Sequence, residues 1–213
     1  MLRSDDGIPA AIVAPAEAVA AAIVRLERED AVALPFLGAA ACAALLAEAR
    51  ALDYRTARPE VGEGARLVRQ DFHICTHIPE ASPLFALMRA TTKTLQEGLA
   101  MIEPPPFARE FAINDLVVQR YAAGSAGISP HRDHRRYVGL VALLPLSGAG
   151  RFYVCDDRAG AKPRPLPAAP GDLILLRAPG LFGRTDRPFH ALADIPTERY
   201  SIGMRQDETK PMP

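Results

Sequence analysis

The chain has 213 residues, 49% of them apolar, and its 25 basic and 25 acidic residues give a formal net charge of zero. This length fits one domain, the apolar content favours a sizeable core over disorder, and the balanced charge indicates no general attraction to nucleic acid or membrane. Three cysteines without a Cys-x-x-Cys spacing argue against a disulfide framework or a zinc knuckle. There is no apolar run long enough to span a bilayer and no basic signal peptide, so we expect a cytoplasmic protein.

The first half of the sequence is typical of helices. We expect residues 1–14 to form a loose arm and residues 31–34 to form a short strand. Helices are predicted at residues 15–30, 39–52 and 83–99. Residues 66–76 alternate between apolar and polar side chains, which predicts one strand with a wet face. That face would carry Arg69, Asp71, His73 and Cys75.

From residue 111 onward, short β-type runs separated by glycine and proline turns replace the helical patterns. Strands are predicted at residues 116–121, 137–144, 151–155, 172–177, 189–195 and 199–204. Helices followed by strands predict an α+β fold, in which N-terminal helices pack on one face of a β-sandwich or barrel. We therefore predict a single domain over 1–213, with a helix-rich support (1–110), a β core (111–206) and a tail (207–213) that we expect to be disordered.

His131 and Asp133 lie two residues apart, after an apolar run and a loop with two glycines and a proline. A third potential ligand, His190, lies in a later predicted strand. Two histidines and one carboxylate on one facet leave three positions of an octahedral metal open, as in non-heme Fe(II) oxygenases. Zinc accepts the same ligands but has no redox chemistry. A solvated loop with a local His–Asp contact is the simpler alternative for the first pair.

The last predicted strand separates two kinds of side chain by its period of two. Tyr200, Ile202 and Met204 share an apolar face, while the other face carries Arg199, Ser201, Gly203 and Arg205. A buried face with two arginines is costly unless an anion neutralises them. A dicarboxylate beside the glycine would supply that charge, because the planar guanidinium group suits carboxylate binding.

In their order and spacing, these motifs resemble the Fe(II)/2-oxoglutarate-dependent dioxygenases, in particular the AlkB-like branch. The matching segments are Gln119-Arg-Tyr121-x-x-Gly, His131-x-Asp133, Gly171-Asp172 with an apolar run, His190, and Arg199-x5-Arg205. Gln119 stands where the branch usually has asparagine, and Ser201 replaces another usual asparagine. These departures bear on the substrate class more than on the cofactor.

The resemblance implies a double-stranded β-helix, or jelly-roll, with Fe(II) at its mouth and 2-oxoglutarate and O2 as cosubstrates. It implies that iron is held by His131, Asp133 and His190. It also implies that the distal carboxylate of 2-oxoglutarate binds Arg199, Tyr121 and Ser201, with Arg205 and Gln119 near the chelating end. The implied reaction yields succinate and CO2 while the substrate is hydroxylated or oxidatively dealkylated.

The substrate is left open by the sequence. Residues 119–190 hold 11 Lys or Arg against 5 Asp or Glu, leaving 14 against 20 elsewhere, which is compatible with an anionic substrate. Nucleic acid is not favoured, because the chain has no tryptophan and no long basic stripe. AlkB-like nucleobase repair therefore competes with hydroxylation of a protein or small molecule.

Two further classes compete with the dioxygenase: a non-catalytic jelly-roll that binds a ligand or partner, and a zinc-dependent enzyme on a similar barrel. We expect His134 to be an outer contact or solvent-exposed rather than a metal ligand. We expect the side chains of His73, Cys75 and His77 to line the substrate cleft or meet solvent. The oligomeric state is not predicted.

Overall fold

The computed structural model describes residues 11–212, so most of the predicted loose arm lies outside the described residues. The part of the arm that is described is attached to the domain. Ile12 forms a β-bridge with Leu37, and the Val13 amide donates to the Phe36 carbonyl at 2.8 Å. The prediction of a loose arm is therefore wrong for residues 11–13, because their backbone pairs with the segment that follows the first strand.

Three α-helices lie within the described residues: α1 Ala16–Arg25, α2 Ala39–Arg50 and α3 Pro83–Ala100. The third begins as predicted, because the Ser82 hydroxyl accepts from the Leu84 amide and Pro83 occupies a first-turn position that needs no N–H donor. The first ends earlier than predicted. The amides of residues 26–28 bond to carbonyls three residues back, starting with Leu26 to Ile23, which tightens the chain into a turn before the first strand.

Thirteen strands form two antiparallel sheets within residues 11–212. The strands are β1 Ala31–Pro35, β2 Arg55–Thr56, β3 Glu60–Val61, β4 Val68–Asp71, β5 His73–Cys75, β6 Asp115–Tyr121, β7 Gly127–His131, β8 Tyr137–Ser147, β9 Arg151–Cys155, β10 Arg164–Pro165, β11 Asp172–Arg177, β12 Phe189–Ala193 and β13 Arg199–Asp207. The larger sheet has the order β1-β11-β8-β13-β6-β5-β2, and the smaller has the order β10-β9-β12-β7-β4-β3.

The central strands of the larger sheet direct alternate side chains to opposite faces. On β8, Leu140 and Leu144 join the core beneath the three helices, whereas Val141 joins a smaller core shared with Phe152 and Leu192 of the facing sheet. The helices therefore cover the outer face of the larger sheet, and the space between the sheets forms the interior of a jelly-roll. This is the predicted α+β arrangement, with helices on one face.

The strand predicted at residues 66–76 is two strands. β4 pairs with β7 in the smaller sheet, and β5 pairs with β6 in the larger one. The predicted wet face is also wrong at Cys75, which is 2% exposed and lies in the core beneath the helices. Its register partner is Val118, whose side chain points to that same core, so the face of β5 that was predicted to be wet is covered at Cys75.

The C-terminal tail is ordered as far as residue 212, contrary to prediction. β13 extends to Asp207, and Asn114 Oδ1 accepts from the Asp207 amide at 2.6 Å. Lys210 Nζ then reaches Asp115 Oδ1 at 2.5 Å. These polar contacts are long-range, so the composition of the tail gives no sign of them. Among residues 11–212, no helix combines the length and apolar character needed to cross a bilayer.

Candidate functional site

The candidate metal ligands converge because β7 ends beside the start of its antiparallel neighbour β12 in the smaller sheet. His131 is the last residue of β7, and its register partner is His190, the second residue of β12. The two imidazole centroids lie 4.3 Å apart. Asp133 follows β7 by two residues and brings Oδ2 to 3.7 Å from His190 Nε2. Potential ligand atoms of all three side chains lie within 4.8 Å of one another.

Backbone carbonyls orient both imidazoles. His131 Nδ1 lies 3.0 Å from the Ser129 carbonyl, and His190 Nδ1 lies 3.4 Å from the Pro188 carbonyl. A carbonyl oxygen only accepts hydrogen bonds, so each Nδ1 carries the proton and each Nε2 presents a lone pair. This is the second contact that metal-binding histidines usually make in proteins.

The surroundings keep these groups in the protonation states that bind a cation. Burial, assisted by the neighbouring His190, lowers the pKa of His131 to about 3. Burial also lowers the pKa of His190. For Asp133, burial works to raise the pKa, but Arg205 and the two histidines outweigh it and hold the pKa below its usual value. At neutral pH the cluster therefore offers two neutral imidazoles and a carboxylate.

One atom of the cluster has no protein partner. Asp133 Oδ2 is buried and accepts no hydrogen bond from the described residues. The nearest cation is Arg205, whose Nε lies 3.8 Å from the other carboxylate oxygen. A buried, ionised oxygen without a partner is costly, and a metal ion coordinated with the two Nε2 atoms would remove that cost.

The opposite end of the same cavity is suited to an anion. Arg199 is 3% exposed, and its Nη1 donates to the Gly148 carbonyl at 3.1 Å. Its Nε has no partner, and within residues 11–212 no carboxylate pairs with it. Burial lowers the pKa of Arg199 and the Tyr121 hydroxyl raises it, but a guanidinium stays protonated in either case.

Strand pairing places the predicted polar residues on this inner face. In the β13–β6 register, Arg199 is opposite Tyr121 and Ser201 is opposite Gln119. Burial raises the pKa of Tyr121, although Arg199 and Arg205 act in the opposite direction, so its hydroxyl keeps the proton and can donate it to an anion. The cavity opens to solvent, and its empty space of about 510 Å³ includes solvent at the opening. All eight residues singled out by the sequence line it: Gln119, Tyr121, His131, Asp133, His190, Arg199, Ser201 and Arg205.

The gap at Gly203 is used differently from the prediction. A Cβ atom at this position would lie 2.8 Å from Arg205 Nη1, so the Arg205 side chain folds back over the glycine and occupies the space predicted for a dicarboxylate. From there Arg205 lies 3.6 Å from Asp115 Oδ2 and 5.1 Å from the centre of the Tyr137 ring. The side chain is thus a buried bridge between two carboxylates, not a surface charge.

Two contributors to the site were not found from the sequence. Asp115 faces Arg205 in the β13–β6 register, and Arg187 donates to the Asp133 backbone carbonyl. An acid at the start of an apolar strand was a weak signal for Asp115, whereas no local pattern marks Arg187. As expected, His134 is exposed and lies outside the ligand cluster; its Nδ1 accepts from the Arg136 amide at 3.3 Å.

Comparison with known proteins gives fold relatives but no sequence relatives. No protein-family model matches the chain, and neither does any curated protein. The chain is similar to a prolyl hydroxylase from Trichoplax adhaerens in complex with a hypoxia inducible factor oxygen degradation domain peptide fragment, with 13% identity, 91% of both chains covered and a TM-score of 0.66. It is similar to a 2OG-Fe(II) oxygenase family oxidoreductase from Burkholderia pseudomallei, with 16% identity, 97% and 93% covered and a TM-score of 0.62. A Pseudomonas putida prolyl-4-hydroxylase follows with 20% identity, 89% and 98% covered and a TM-score of 0.57.

At these identities the likeness shows the fold, which is the double-stranded β-helix of 2-oxoglutarate oxygenases with helices on one face. The predicted fold class is confirmed. The AlkB-like branch stays a prediction, because none of the three similar structures described above is named as AlkB-like.

Proposed function

We propose that the chain is an Fe(II)- and 2-oxoglutarate-dependent dioxygenase that hydroxylates or oxidatively dealkylates its substrate. The observation that carries this proposal is the presence, in one cavity, of a His–Asp–His cluster with an orphaned carboxylate oxygen and a buried guanidinium without a carboxylate. The likeness in fold to 2-oxoglutarate oxygenases supports the same activity.

In this proposal, His131, Asp133 and His190 hold iron. Their protonation at neutral pH suits a divalent cation, and three ligands leave the remaining positions of an octahedral ion for the cosubstrates. Arg205 would orient the Asp133 carboxylate, since its Nε lies 3.8 Å from Oδ1 while its Nη1 is anchored by Asp115.

At the other end, Arg199 would pair with the distal carboxylate of 2-oxoglutarate, with hydrogen bonds from the hydroxyls of Tyr121 and Ser201. The guanidinium is already desolvated, so an incoming carboxylate regains interaction energy without further loss of solvation at Arg199. Gln119 would contact the cosubstrate nearer the metal. The lining between the two ends is apolar, including Ile128, Leu143, Phe152, Ile174 and Leu192, and it would exclude bulk water.

Iron with 2-oxoglutarate and O2 supplies the oxidation of an unactivated C–H bond, with release of succinate and CO2. The residues of the chain bind, orient and shield these groups. Arg205 and Asp115 keep the ligand Asp133 in place, and the backbone contacts of His131 and His190 keep both Nε2 atoms directed at the metal.

The test is an anaerobic titration of the metal-free protein with Fe(II) and then 2-oxoglutarate, following the visible charge-transfer band of the chelate. We expect a band in the wild type and none in His131→Ala. For Arg199→Ala we expect about a hundredfold more 2-oxoglutarate at half-saturation, because a buried charge-assisted pair is lost.

Matched controls separate a local effect from misfolding. His134→Ala removes an exposed imidazole three residues from His131, and Arg28→Ala removes an exposed guanidinium in the turn after α1; both should leave the band unchanged. A folded wild type without a band contradicts the dioxygenase. Tight zinc binding would then favour the zinc enzyme, and the absence of metal binding would favour the non-catalytic module.

The substrate we propose to test first is a peptide side chain, because the Trichoplax adhaerens relative is described in complex with a peptide fragment. AlkB-like dealkylation of a nucleobase is the second candidate, favoured by the Arg199-x5-Arg205 spacing and by the contact of Arg205 with the candidate metal ligand Asp133. Release of succinate with a methylated oligonucleotide, but not with peptides, would select the second.

A further inference from the structure

Four arginines lie near the candidate metal ligands, where β7 ends beside the start of β12, and we call them the rim arginines: Arg132, Arg135, Arg158 and Arg187. The guanidinium carbons of Arg132 and Arg158 lie 4.1 Å and 5.6 Å from the centre of the Phe189 ring. Arg187 donates to the backbone carbonyl of the candidate metal ligand Asp133. Arg132 and Arg135 are exposed, and the other two are partly buried. The group therefore adjoins the place where a substrate would enter.

The rim arginines differ from other arginines of the same basic segment in their ion pairing. Arg136 pairs with Asp207 at 3.0 Å, and Arg177 pairs with Asp186 at 2.8 Å. Among residues 11–212, by contrast, no carboxylate forms an ion pair with a rim arginine. When the basic residues that form ion pairs are set aside, the excess positive charge of residues 119–190 lies on the rim arginines.

The rim arginines are held near one another by contacts that do not neutralise their charges. Arg132 and Arg158 both contact the ring of Phe189, and Arg187 donates to the backbone carbonyl of Asp133, the residue after Arg132. Neighbouring guanidinium groups without a paired carboxylate are suited to bind an oxyanion. The planar donors of arginine suit carboxylate and phosphate oxygens in particular.

We infer that the rim arginines bind an oxyanion of the substrate, a carboxylate or a phosphate on a short peptide segment, close to the carbon that reacts. That this carbon is oxidised rests on the proposed function, whereas the binding of the anion does not. The patch favours one or two charges over a polyanion, because the chain outside residues 119–190 has 14 basic against 20 acidic residues.

The experiment measures fluorescence anisotropy of labelled Gly/Ser peptides with the full chain at low salt. One peptide carries glutamates, a second has glutamines at the same positions, and a third carries a phosphoserine. We expect the glutamate or the phosphoserine peptide to bind at least about fivefold more tightly than the glutamine peptide. Whichever of the two charged peptides binds more tightly identifies the source of the oxyanion.

The test variant is Arg132→Gln/Arg135→Gln, in which both replaced residues are exposed. It should weaken binding of the charged peptide about fivefold and leave the glutamine peptide unchanged. The control Arg28→Gln/Arg50→Gln removes the same charge from exposed positions on the helical side and should bind like the wild type. Equal binding of charged and neutral peptides overturns the inference, as does an equal loss in both double variants.

The last ligand in this binding experiment is a labelled single-stranded oligodeoxynucleotide. If it binds far more tightly than any peptide and the loss in the test variant is confined to it, the substrate is a polyanion and the inference is wrong. The chelate band separates this proposal from the proposed function. If the chelate band appears but peptide binding does not depend on charge, only the proposed anion site is wrong. If peptide binding depends on the rim arginines but no band appears, only the proposed dioxygenase function is wrong.

Discussion

The two faces of the seven-stranded sheet carry side chains from the same strands, but the side chains on one face are packed in an apolar core and those on the other include polar atoms without hydrogen-bond partners. On β13, Tyr200, Ile202 and Met204 are buried in the core beneath the helices. The alternate residues Arg199 and Arg205 are just as buried, yet each keeps a polar atom without a hydrogen-bond partner. The helix-side face thus contributes stability, and the inner face stores unmet interactions that a ligand can satisfy.

The largest effect on folding should come from the helix-side face. Leu144 is 0% exposed on β8, and Leu144→Ala should lower the free energy of unfolding by about 2–5 kcal/mol because it leaves a cavity in a closely packed core. Urea denaturation of the metal-free protein measures this directly.

The adjacent residue is the matched control. Leu143 points to the other face, is only partly buried and lines the cavity, so Leu143→Ala enlarges an existing space. We expect less than about half the cost of Leu144→Ala. Equal costs would mean that the two faces do not differ in packing as described.

A smaller effect should appear as a pH dependence of stability in the metal-free protein. The folded state holds the pKa of His131 near 3, below the usual 6.5, so the unfolded chain binds a proton that the folded chain does not. The stabilisation is therefore complete above about pH 6.5 and is lost as the pH falls toward 3, with a slope of up to about 1.4 kcal/mol per pH unit. Unfolding free energies from urea titrations between about pH 4.5 and pH 7 test this.

His131→Gln should flatten that slope, whereas His134→Gln should not change it, because His134 is exposed. A slope that survives His131→Gln undiminished would assign the pH dependence to other groups. His190 is the first of these, since burial lowers its pKa too.

The difference between the two faces of the sheet could be predicted from the sequence within a single strand. Period-two alternation separates Arg199 from Tyr200 without knowledge of the neighbouring strands. The spacing of His131 and Asp133 is likewise local. The β7–β12 register brings His190 beside His131, and no local pattern in the sequence gives this pairing. The family resemblance implied only that the three residues bind one metal.

Features that depend on strand partners were missed. Alternation through residues 66–76 continues although the chain leaves one sheet for the other at Phe72, because periodicity reports faces and not partners. β7 was taken for a loop, since it contains glycine and proline. Gly127 sits there at φ +76°, where a Cβ atom would lie 1.9 Å from the Leu192 carbonyl oxygen, so the glycine permits the close strand approach. Arg187 has no local signal and Asp115 only a weak one, because their roles arise from contacts distant in sequence.

The smallest effect we predict compares two buried arginines on opposite faces. Arg199→Met removes a guanidinium whose one hydrogen bond in the described structure goes to the Gly148 carbonyl, and it fills the space with an apolar chain of similar length. Because replacing an uncompensated buried charge is often neutral or stabilising, the unfolding free energy of the metal-free protein should stay unchanged or rise by up to about 1 kcal/mol. Binding of 2-oxoglutarate should be lost in the same variant.

Arg177→Met is the control on the helix side. Arg177 is equally buried, but it donates to the carbonyls of Leu26 and Glu29 and pairs with Asp30 and Asp186. Its replacement should lower the unfolding free energy by about 1–3 kcal/mol, because these carbonyls and carboxylates lose their hydrogen-bond donor. If Arg199→Met proved as destabilising as Arg177→Met, the inner arginine would be a structural residue and its burial would no longer point to a ligand.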